Sequence, residues 1–441
     1  MDRYGGWTGA KLEATPRRPL SNAAAAGWFH TAHVKEKWCL VDPDGNQFYS
    51  AGVNTISFRQ DTIRDTNESP YGETTAAKYG QPGEWAKAAV ARLRDWGFNT
   101  IGAWSDRVTW QQGMPYTVIL HFADSVKREA ALSFPDVFDP EFERELRTIA
   151  QRVCRPLADD RWLIGYFTDN ELRWGPDWRS GNSLFVGFLQ LDDGAAGRQA
   201  LVSFLRGRYP TVERLNEVWR TQYDTFEQVG RTPQVGSRIP EEDQDAFLSL
   251  IATRYFSVAQ QAIRAVDQHH LVLGCRFAGY APRPVLEGMR DHVDVVSLNH
   301  YAVDPPVELL QEIHQVTGRP VLITEFSFRG RDSGLPNTRG AGVIVDTQQE
   351  RAEHFASYVR KLMSLPMVVG YHWFEHADEP AEGRFDGEDS NYGVVDIKDR
   401  PYSTLVEAMT RVNLGLYGGP PASSGEPASR RPGRATVRKR R

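Results

Sequence analysis

The stretch WLIGYFTDNE, residues 162–171, joins an apolar run to a polar end. The apolar, aromatic and small residues of its first part predict a buried strand, and Asp169, Asn170 and Glu171 follow where that strand ends. In parallel sheets with crossover helices, functional side chains collect at the carboxyl ends of the strands. The stretch therefore predicts a parallel α/β sheet with three polar residues at its functional edge.

Seven further runs have the same character, and they alternate with segments of helical periodicity such as residues 84–96, 141–153 and 348–363. Eight strands separated by helices favour a closed (β/α)8 TIM barrel, an α/β fold, over an open sheet. With residues 162–167 as the fourth run, the others are 48–57 (FYSAGVNTIS), 98–104 (FNTIGAW), 116–122 (YTVILHF), 271–277 (LVLGCRF), 293–298 (VDVVSL), 321–326 (VLITEF) and 368–374 (VVGYHWF).

Composition divides the chain into three parts. Residues 1–26, rich in Gly, Pro, Ala and Arg, predict a disordered N-terminal segment, and residues 27–417 predict the barrel. Residues 418–441 predict a basic disordered tail, with seven basic side chains against the single acid Glu426. A solvated tail is favoured there over a tether to nucleic acid or another acidic surface.

Two local patterns refine the barrel. The segment KWCLVDPD, residues 37–44, and the turn DPDG, residues 42–45, predict a small hairpin that closes the barrel floor. The connection from residue 170 to residue 270 is unusually long and contains amphipathic segments at 198–209 and 212–219. It predicts a helical insertion after strand four that walls one side of the active-site face.

Charge and cysteine usage restrict the partners. A net charge of -5 gives no global field for nucleic acid, and no apolar run reaches the length of a membrane span. The three cysteines, Cys39, Cys154 and Cys275, lack disulfide or metal spacing and predict free thiols. The first residues lack the apolar core of a signal peptide, so a cytoplasmic location is expected unless the true start lies elsewhere. The oligomeric state stays open.

The residues at the ends of the predicted strands are polar or aromatic, which is typical of a ligand site. Glu171 follows strand four and Glu325 lies within strand seven, so the two carboxylates face each other across the barrel mouth. The other candidates for substrate binding at strand ends are Asn54, Trp104, His121, Asn170, Arg276, Asn299, His300, Tyr301 and Trp373.

A pair of carboxylates is what the cleavage of a glycosidic bond requires, one protonated and one ionised. Asn170 can bind a sugar hydroxyl beside Glu171, which indicates the general acid/base. Arg276 and Tyr301, on adjacent strands, are expected to keep Glu325 ionised as the nucleophile. A purely structural role stays open for three of these residues: Trp373 as a core residue, and His121 and His300 as structural histidines.

Other motifs are weaker. A second Asn-Glu pair, Asn216 and Glu217, lies in a helical context and is interpreted as structural. No HxH, CxxC or HExxH spacing indicates a metal, and the acidic loop FDGEDSN at residues 385–391 lacks the regular spacing of a calcium loop. No metal is therefore expected.

Several segments together resemble family 50 of the glycoside hydrolases, the β-agarases, within clan A. GYFTDNELRWG (165–175) is similar to the acid/base segment of that family and PVLITEFSFRGRDSG (320–334) to its nucleophile segment. QQERAEHFASYV (348–359), GYHWFEHADEP (370–380) and FDGEDSNYGVVD (385–396) resemble the end of its barrel, so the resemblance spans about residues 27–412.

The resemblance implies a retaining enzyme without a cofactor that cleaves β-galactosidic linkages of agarose, often from chain ends. It implies Glu171 as acid/base and Glu325 as nucleophile. It also implies a sugar site lined by Asn170, His300 or Tyr301, Trp373 and Glu379.

The sequence is expected to depart from the family in two ways. Neither an additional N-terminal binding domain nor a secretion signal is expected from its first residues, and FSFRGRDSG stands at residues 326–334 where the family pattern predicts a His-Phe-Gly type run. That loop is expected to face the substrate, so an imported oligosaccharide or another β-glycoside is an alternative to agarose. Arg329 and Arg331 could bind an acidic or sulfated sugar, but solvated charges are favoured. A non-catalytic sugar-binding barrel and a transglycosylase are the alternative functions.

Overall fold

The computed structural model describes residues 1–11, 27–126, 132, 134–232 and 238–416. The predicted basic tail, residues 418–441, and residues 12–26 of the predicted N-terminal segment lie outside the described residues.

A small antiparallel sheet precedes the barrel and contains β1 (Trp7–Lys11), β2 (His30–Val34), β3 (Lys37–Val41) and β4 (Asn46–Phe48), in the order β1-β4-β3-β2. The turn between β3 and β4 closes on Asp42, whose carbonyl accepts from the Gly45 amide (2.9 Å). Leu40 and Phe48 pack against Leu322 and Val369 at the start of barrel strands. The predicted hairpin therefore closes the barrel floor.

The first eleven residues correct the predicted disordered segment. β1 pairs with β4, and the buried Tyr4 ring contacts the rings of Phe29 and Trp162. Arg3 donates two hydrogen bonds to the Asp44 carboxylate, at 3.0 and 2.8 Å. These partners are distant in sequence, so local composition could not indicate them.

The main sheet is parallel throughout and has nine strand segments in the order β10-β11-β12-β15-β5-β6-β7-β8-β9. The segments are β5 (Ser50–Val53), β6 (Thr100–Ile101), β7 (Tyr116–Ile119), β8 (Leu163–Phe167), β9 (Leu271–Val272), β10 (Phe277–Ala278), β11 (Val296–Asn299), β12 (Val321–Glu325) and β15 (Val368–Trp373). Two further strands, β13 (Phe328–Gly330) and β14 (Val343–Val345), form a separate parallel pair.

The two ends of this order are halves of one strand. β9 and β10 together make up the predicted fifth strand, interrupted at residues 273–276. β9 pairs with β8 and β10 pairs with β11, so the sheet closes on itself. The predicted (β/α)8 barrel is confirmed. One boundary was wrong: the first predicted run, residues 48–57, contains both the end of β4 and the barrel strand β5, because the chain passes directly from the floor into the barrel.

The helices surround the barrel, and several begin at side-chain caps. Asp139 accepts from the Glu141 amide (2.8 Å), and Thr347 accepts from the Glu350 amide (3.2 Å). The helices are α1 (Pro70–Tyr79), α2 (Pro82–Asp95), α3 (Arg107–Trp110), α4 (Pro140–Val153), α5 (Leu184–Gln190), α6 (Ala196–Arg208), α7 (Val212–Trp219), α8 (Glu241–Arg264), α9 (Arg283–Met289), α10 (Val307–Thr317), α11 (Gln348–Ser364) and α12 (Ser403–Leu414).

The insertion after strand four is helical, as predicted, but its place differs from the prediction. Its helices α5 to α7 bury aromatic rings such as Phe185 and Phe188 against Phe247 of α8. They do not line the large cavity at the barrel mouth; Trp178 and Arg179, in the loop before α5, do so instead. The apolar faces of the insertion pack on the outside of the barrel, because α8 offers them a buried partner there.

Among the described residues, no helix is both long enough and apolar enough to cross a membrane. Cys39, Cys154 and Cys275 are buried and unpaired, and burial raises the pKa of each thiol, to about 12 for Cys39.

Candidate active site

A cavity of about 1250 Å³ opens at the carboxyl ends of the barrel strands. Its walls come from strand ends that are distant in sequence, which is where barrels of this kind bind ligands. Eight of the twelve residues predicted for the site line it: Trp104, His121, Asn170, Glu171, Asn299, His300, Tyr301 and Glu325.

Five successive barrel strands carry a residue with left-handed backbone, four of them after the strand and the fifth in the interruption between β9 and β10. None of the five is glycine, although an L side chain disfavours this conformation by about 1–2 kcal/mol. They are Thr55 (φ 55°), Trp104 (φ 60°), His121 (φ 53°), Glu171 (φ 51°) and Arg276 (φ 49°). Four of the five side chains line the cavity and the fifth, Arg276, lies beneath it, so this strained backbone is concentrated at the site.

Glu325 ends β12 and is almost wholly buried. The Tyr301 hydroxyl donates to its Oε2 (2.7 Å), and Arg276 Nη2 lies 3.0 Å from its Oε1 as an ion pair. Burial and the nearby charge of Glu171 raise the pKa of Glu325 to about 7, against the lowering effects of Arg276 and Tyr301. The sequence predicted both neighbours, but their expected net effect was wrong, because burial outweighs them.

The amide side chain of Asn299 holds Glu171 in position. Asn299 Nδ2 donates to Glu171 Oε1 (3.0 Å) and to Asn170 Oδ1 (3.1 Å). The oxygen of Asn299 accepts from Thr324, the residue before Glu325 (2.7 Å). One asparagine thus joins the segments that carry the two glutamates, so a shift of either segment changes the geometry of the pair.

Arg276 lies beneath the cavity rather than on its wall, and its side chain is fully buried. Nη1 donates to Asn170 Oδ1 (3.0 Å) and Nη2 to the Thr324 carbonyl (3.0 Å). Its guanidinium carbon lies 4.2 Å from the centre of the Trp104 ring. We therefore assign Arg276 a positioning role: it joins the supports of both glutamates and contacts the wall through Trp104.

The two candidate histidines have different surroundings. His121 accepts from Trp104 Nε1 (3.3 Å) and contacts Asp124 through Nδ1 (3.2 Å), with its side chain 40% exposed. His300 is more deeply placed and contacts the Tyr358 hydroxyl through Nδ1 (3.2 Å). Burial lowers the pKa of His300, so its neutral form is favoured.

Three predicted binding residues lie away from the cavity wall. Asn54 is buried between strands, donating to the Thr324 carbonyl (2.8 Å) and accepting from the Ala103 amide (3.0 Å). Trp373 packs on Phe326 (5.4 Å between ring centres) and donates to the Tyr392 carbonyl (2.9 Å). Glu379 is buried and accepts from the Ser390 amide (2.7 Å). Asn54 and Trp373 contact backbone groups and core rings, and Glu379 also pairs with Arg384 (3.0 Å), so all three support the site from behind its wall.

Several cavity residues were missed by the sequence prediction. Phe374 lines the cavity although its neighbour Trp373 was chosen, because successive residues of a strand point to opposite faces and all of β15 is buried. Arg384, Phe385 and Glu388 also line it. They belong to or adjoin the segment 385–396 that carried the family resemblance, which was the available signal.

A cluster of carboxylates surrounds Arg384 at one side of the cavity, where Arg384 and Asp61 themselves line the wall. One oxygen from each of Asp61, Glu375 and Glu379 lies within 4.8 Å of the others, a spacing that could hold a cation. Arg384 Nε lies 3.0 Å from Glu379 Oε1 and brings a positive charge to this cluster. Burial raises the pKa of all three carboxyls, that of Glu379 to about 9. The acids considered from sequence are also engaged: Asp386 and Glu388 pair with Arg384, and Asp389 accepts from the amides of residues 338 and 339.

The loop after Glu325 does not line the cavity, contrary to the prediction. Arg329 is buried and donates to Ser390 (3.0 Å) and to the Gly342 carbonyl (3.0 Å). It therefore holds the segment 340–342, which does form part of the wall. Arg331 is 63% exposed and pairs with Asp346 (3.2 Å).

The barrel, with one glutamate after its fourth strand and one at the end of its seventh, has the architecture of the barrel glycoside hydrolases. No family model matches the chain. A curated protein, beta-agarase B of Vibrio sp. (strain JT0107), is 28% identical over an alignment 488 positions long, covering 94% of this chain and 50% of that protein. This chain thus spans about half the length of that relative.

Solved structures agree. An agarase, AgWH50C, superposes with a TM-score of 0.81 at 28% identity, covering 94% of this chain and 67% of that one. An exo-beta-agarase has the same fold, with a TM-score of 0.84 at 24% identity, covering 94% and 67% of the two chains. The resemblance to the family 50 β-agarases is therefore confirmed across the barrel.

Proposed function

We propose that this protein is an O-glycosyl hydrolase that cleaves β-glycosidic bonds in agarose-type galactan oligosaccharides. The observation that carries the proposal is the pair of carboxylates, Glu171 and Glu325, on the wall of one cavity at the barrel mouth. The similarity to proteins named β-agarase supports the substrate class. The oxygen-rich, partly aromatic lining suits a sugar chain.

Glu325 acts as the nucleophile. Its carboxylate attacks the anomeric carbon, the glycosidic C–O bond breaks, and a covalent glycosyl-enzyme forms. Tyr301 holds Oε2, and among the described residues Oε1 has no hydrogen-bond donor of good geometry, which leaves an oxygen available for attack. Arg276 stabilises the ionised form, and a desolvated carboxylate is the stronger nucleophile.

Glu171 acts first as acid and then as base. It donates its proton to the departing sugar oxygen and then removes a proton from the water that attacks the intermediate, which releases Glu325 and restores Glu171. Asn299 fixes Oε1, so Oε2 carries the exchanging proton. The Asn170 amide, held through its oxygen by Arg276, donates through its nitrogen to a hydroxyl of the reacting sugar.

The test uses the full chain with neoagaro-oligosaccharides, galacto- and gluco-oligosaccharides and aryl β-glycosides, followed by proton NMR of the first product. We expect cleavage of the agarose-type series with retained anomeric configuration. Inverted product would remove Glu325 as nucleophile, and cleavage restricted to gluco-oligosaccharides would overturn the substrate class.

Two variants separate the roles of the glutamates. Glu171→Gln and Glu325→Gln should each lower kcat on oligosaccharides by on the order of a thousandfold or more. An aryl glycoside with an acidic phenol leaving group should restore kcat/KM, which reports formation of the glycosyl-enzyme, in Glu171→Gln but not in Glu325→Gln, because such a group departs without protonation. The kcat of Glu171→Gln should stay low, because the second step still lacks its base. Glu217→Gln is the matched control: it also follows an asparagine, but its side chain is 65% exposed on α7.

A further inference from the structure

Two aromatic rings at the cavity mouth are unusually exposed. Trp178 and Phe385 each have 72% of their surface open, and both line the cavity that holds Glu171 and Glu325. Large apolar side chains are normally buried, and an exposed aromatic cluster at a cavity rim marks a binding surface. Neither ring has a role in the two-glutamate chemistry, so they call for a separate explanation.

The backbone around Trp178 is held firmly. Residues 177–180 form a tight turn in which the Asp177 and Ser180 backbones bond to each other. Arg179 pairs with Asp177 (2.6 Å), and its guanidinium carbon lies 4.7 Å from the centre of the Trp178 ring. Arg179 also donates to the Glu171 carbonyl (2.8 Å). The ring is therefore coupled to the backbone of the acid/base residue, and its exposure leaves the face away from Arg179 open.

Phe385 is presented in a similar way. It lies in a turn in which the Arg384 amide donates to the Glu388 carbonyl (2.8 Å) and the Gly387 amide donates to the Arg384 carbonyl (2.7 Å). Gly387 has left-handed backbone (φ 89°), which the turn requires. Arg384 also pairs with Asp386 and Glu388 through its side chain. These bonds fix the turn and leave the ring at its tip.

We propose that Trp178 and Phe385 are stacking platforms for sugar units remote from the cleaved bond, so that the site takes a chain rather than a single glycoside. This inference rests on the proposed function and extends it to substrate length. Pyranose rings have an apolar C–H face that packs on an aromatic ring at little conformational cost, because the ring is already held in place.

The charges on the cavity wall indicate which kind of sugar chain the platforms can bind. Four acids, Asp61, Asp124, Asp386 and Glu388, line the cavity besides the catalytic pair, against the cations Arg179 and Arg384. Both arginines are already paired with carboxylates. The wall therefore repels anions, and the platforms fit a neutral galactan chain rather than a sulfated one.

The kinetic test compares long and short substrates. Trp178→Ala and Phe385→Ala should each lower kcat/KM for neoagarohexaose at least about tenfold more than kcat/KM for an aryl β-galactoside. Trp178→Phe should recover much of the difference, because it keeps a ring. Leu250→Ala is the control, since this exposed residue of α8 does not line the cavity. Equal losses on the two substrates, or none, would overturn the platforms.

A binding test separates this inference from the proposed function. Calorimetry on the Glu325→Gln variant measures binding of neoagarohexaose without turnover, whether or not the wild type is a hydrolase. We expect binding that weakens at least about tenfold when Trp178→Ala or Phe385→Ala is added, and weaker binding of a sulfated galactan hexaose. Unchanged binding in both double variants would refute the platforms even if the wild type cleaves agarose-type chains.

Discussion

Two buried carboxylates in this protein have opposite surroundings. Asp399 joins the C-terminal part of the chain to α1 and α2, and four side chains donate to it: Tyr71 (3.0 Å), Lys78 (2.7 Å), Tyr79 (2.6 Å) and Arg92 (2.6 Å). Glu325 is also buried, and among the described residues it has one hydrogen-bond donor, Tyr301, and an ion-pair contact with Arg276.

The pKa directions follow from these partners. At Asp399, burial acts to raise the pKa, but the hydrogen bond and charge of Arg92 and the donors Lys78 and Tyr79 prevail and lower it. At Glu325, burial prevails and raises the pKa to about 7. A carboxylate whose oxygens are all satisfied stabilises the fold, whereas one with an unsatisfied oxygen is kept ready for a ligand at the expense of stability.

The largest effect is expected at the satisfied carboxylate. Asp399→Asn leaves the half-buried Arg92 without its counter-charge, so the free energy of unfolding should fall by about 3–5 kcal/mol at pH 7. Denaturant unfolding measures it, and kcat of the folded fraction should stay close to wild type. Asp304→Asn, at an exposed pair with Lys361, is the control and should change stability by less than about 1 kcal/mol. Equal losses of stability in both variants would show that the buried Asp399 contributes no more than an exposed ion pair.

At Glu325, by contrast, replacing the carboxylate is expected to raise the free energy of unfolding. Because folding raises the pKa of Glu325 from 4.5 to about 7, the ionised carboxylate disfavours the folded state increasingly from pH 4.5 upward, and this penalty stops growing above pH 7. Glu325→Gln should therefore be more stable than wild type by up to about 3 kcal/mol at pH 8, and the gain should disappear near pH 4. Unfolding midpoints of the variant and the wild type, measured from pH 4 to pH 8, test this prediction. A gain independent of pH would point to packing rather than charge.

Tyr301→Phe sharpens the contrast by removing the hydrogen-bond donor of Glu325. The hydroxyl lowers the pKa of Glu325, so its loss should move the acidic limb of the kcat/KM profile to higher pH, with about a tenfold loss of kcat/KM at pH 6. At pH 9 the loss should be smaller, because the carboxylate is ionised in both proteins. A loss of the same size at every pH would indicate that Tyr301 acts on substrate rather than on Glu325.

The smallest effect on stability is expected for Arg331, an exposed charge that contacts neither Asp399 nor Glu325. Arg331→Ala removes an exposed ion pair with Asp346 and should change the thermal midpoint little, within about 0.5 kcal/mol of stability. Sulfated and neutral oligosaccharides should also keep their relative kcat/KM, since Arg331 does not line the cavity. A selective loss on the sulfated substrate would restore the anion-binding interpretation of this loop.

The barrel could be predicted from sequence because its signal is local and repeated. Each strand is a short apolar run, and the candidate residues lie near the carboxyl end of a run, as Glu325 does in residues 321–326, or shortly after it, as Glu171 does after residues 162–167. Residue choice within a run was less certain. Trp373 and Phe374 are adjacent and both buried, and only the folded barrel decides that Phe374, the residue after β15, lines the cavity.

Other features depend on contacts that sequence separation hides. Tyr4 is ordered by Trp162, and Trp178 is set beside the cavity by an arginine bonded to the Glu171 carbonyl. The composition of residues 1–26 predicted disorder for Tyr4, and no sequence pattern predicted a role for Trp178. The support provided by Asn54 arises from strands that are adjacent only once the barrel has closed.

The amino-acid sequence by itself determined the order of strands and helices, the barrel class and the placement of Glu171 and Glu325 at the strand ends. It could do so because apolar periodicity and strand-end polarity are properties of neighbouring residues. The tertiary structure alone decided the left-handed backbone at five barrel strands and the surroundings of each carboxylate. It also decided the sign of the Glu325 pKa shift and the exposure of the two rim rings. These depend on burial and on partners from distant segments, whose balance exists only after the chain has folded.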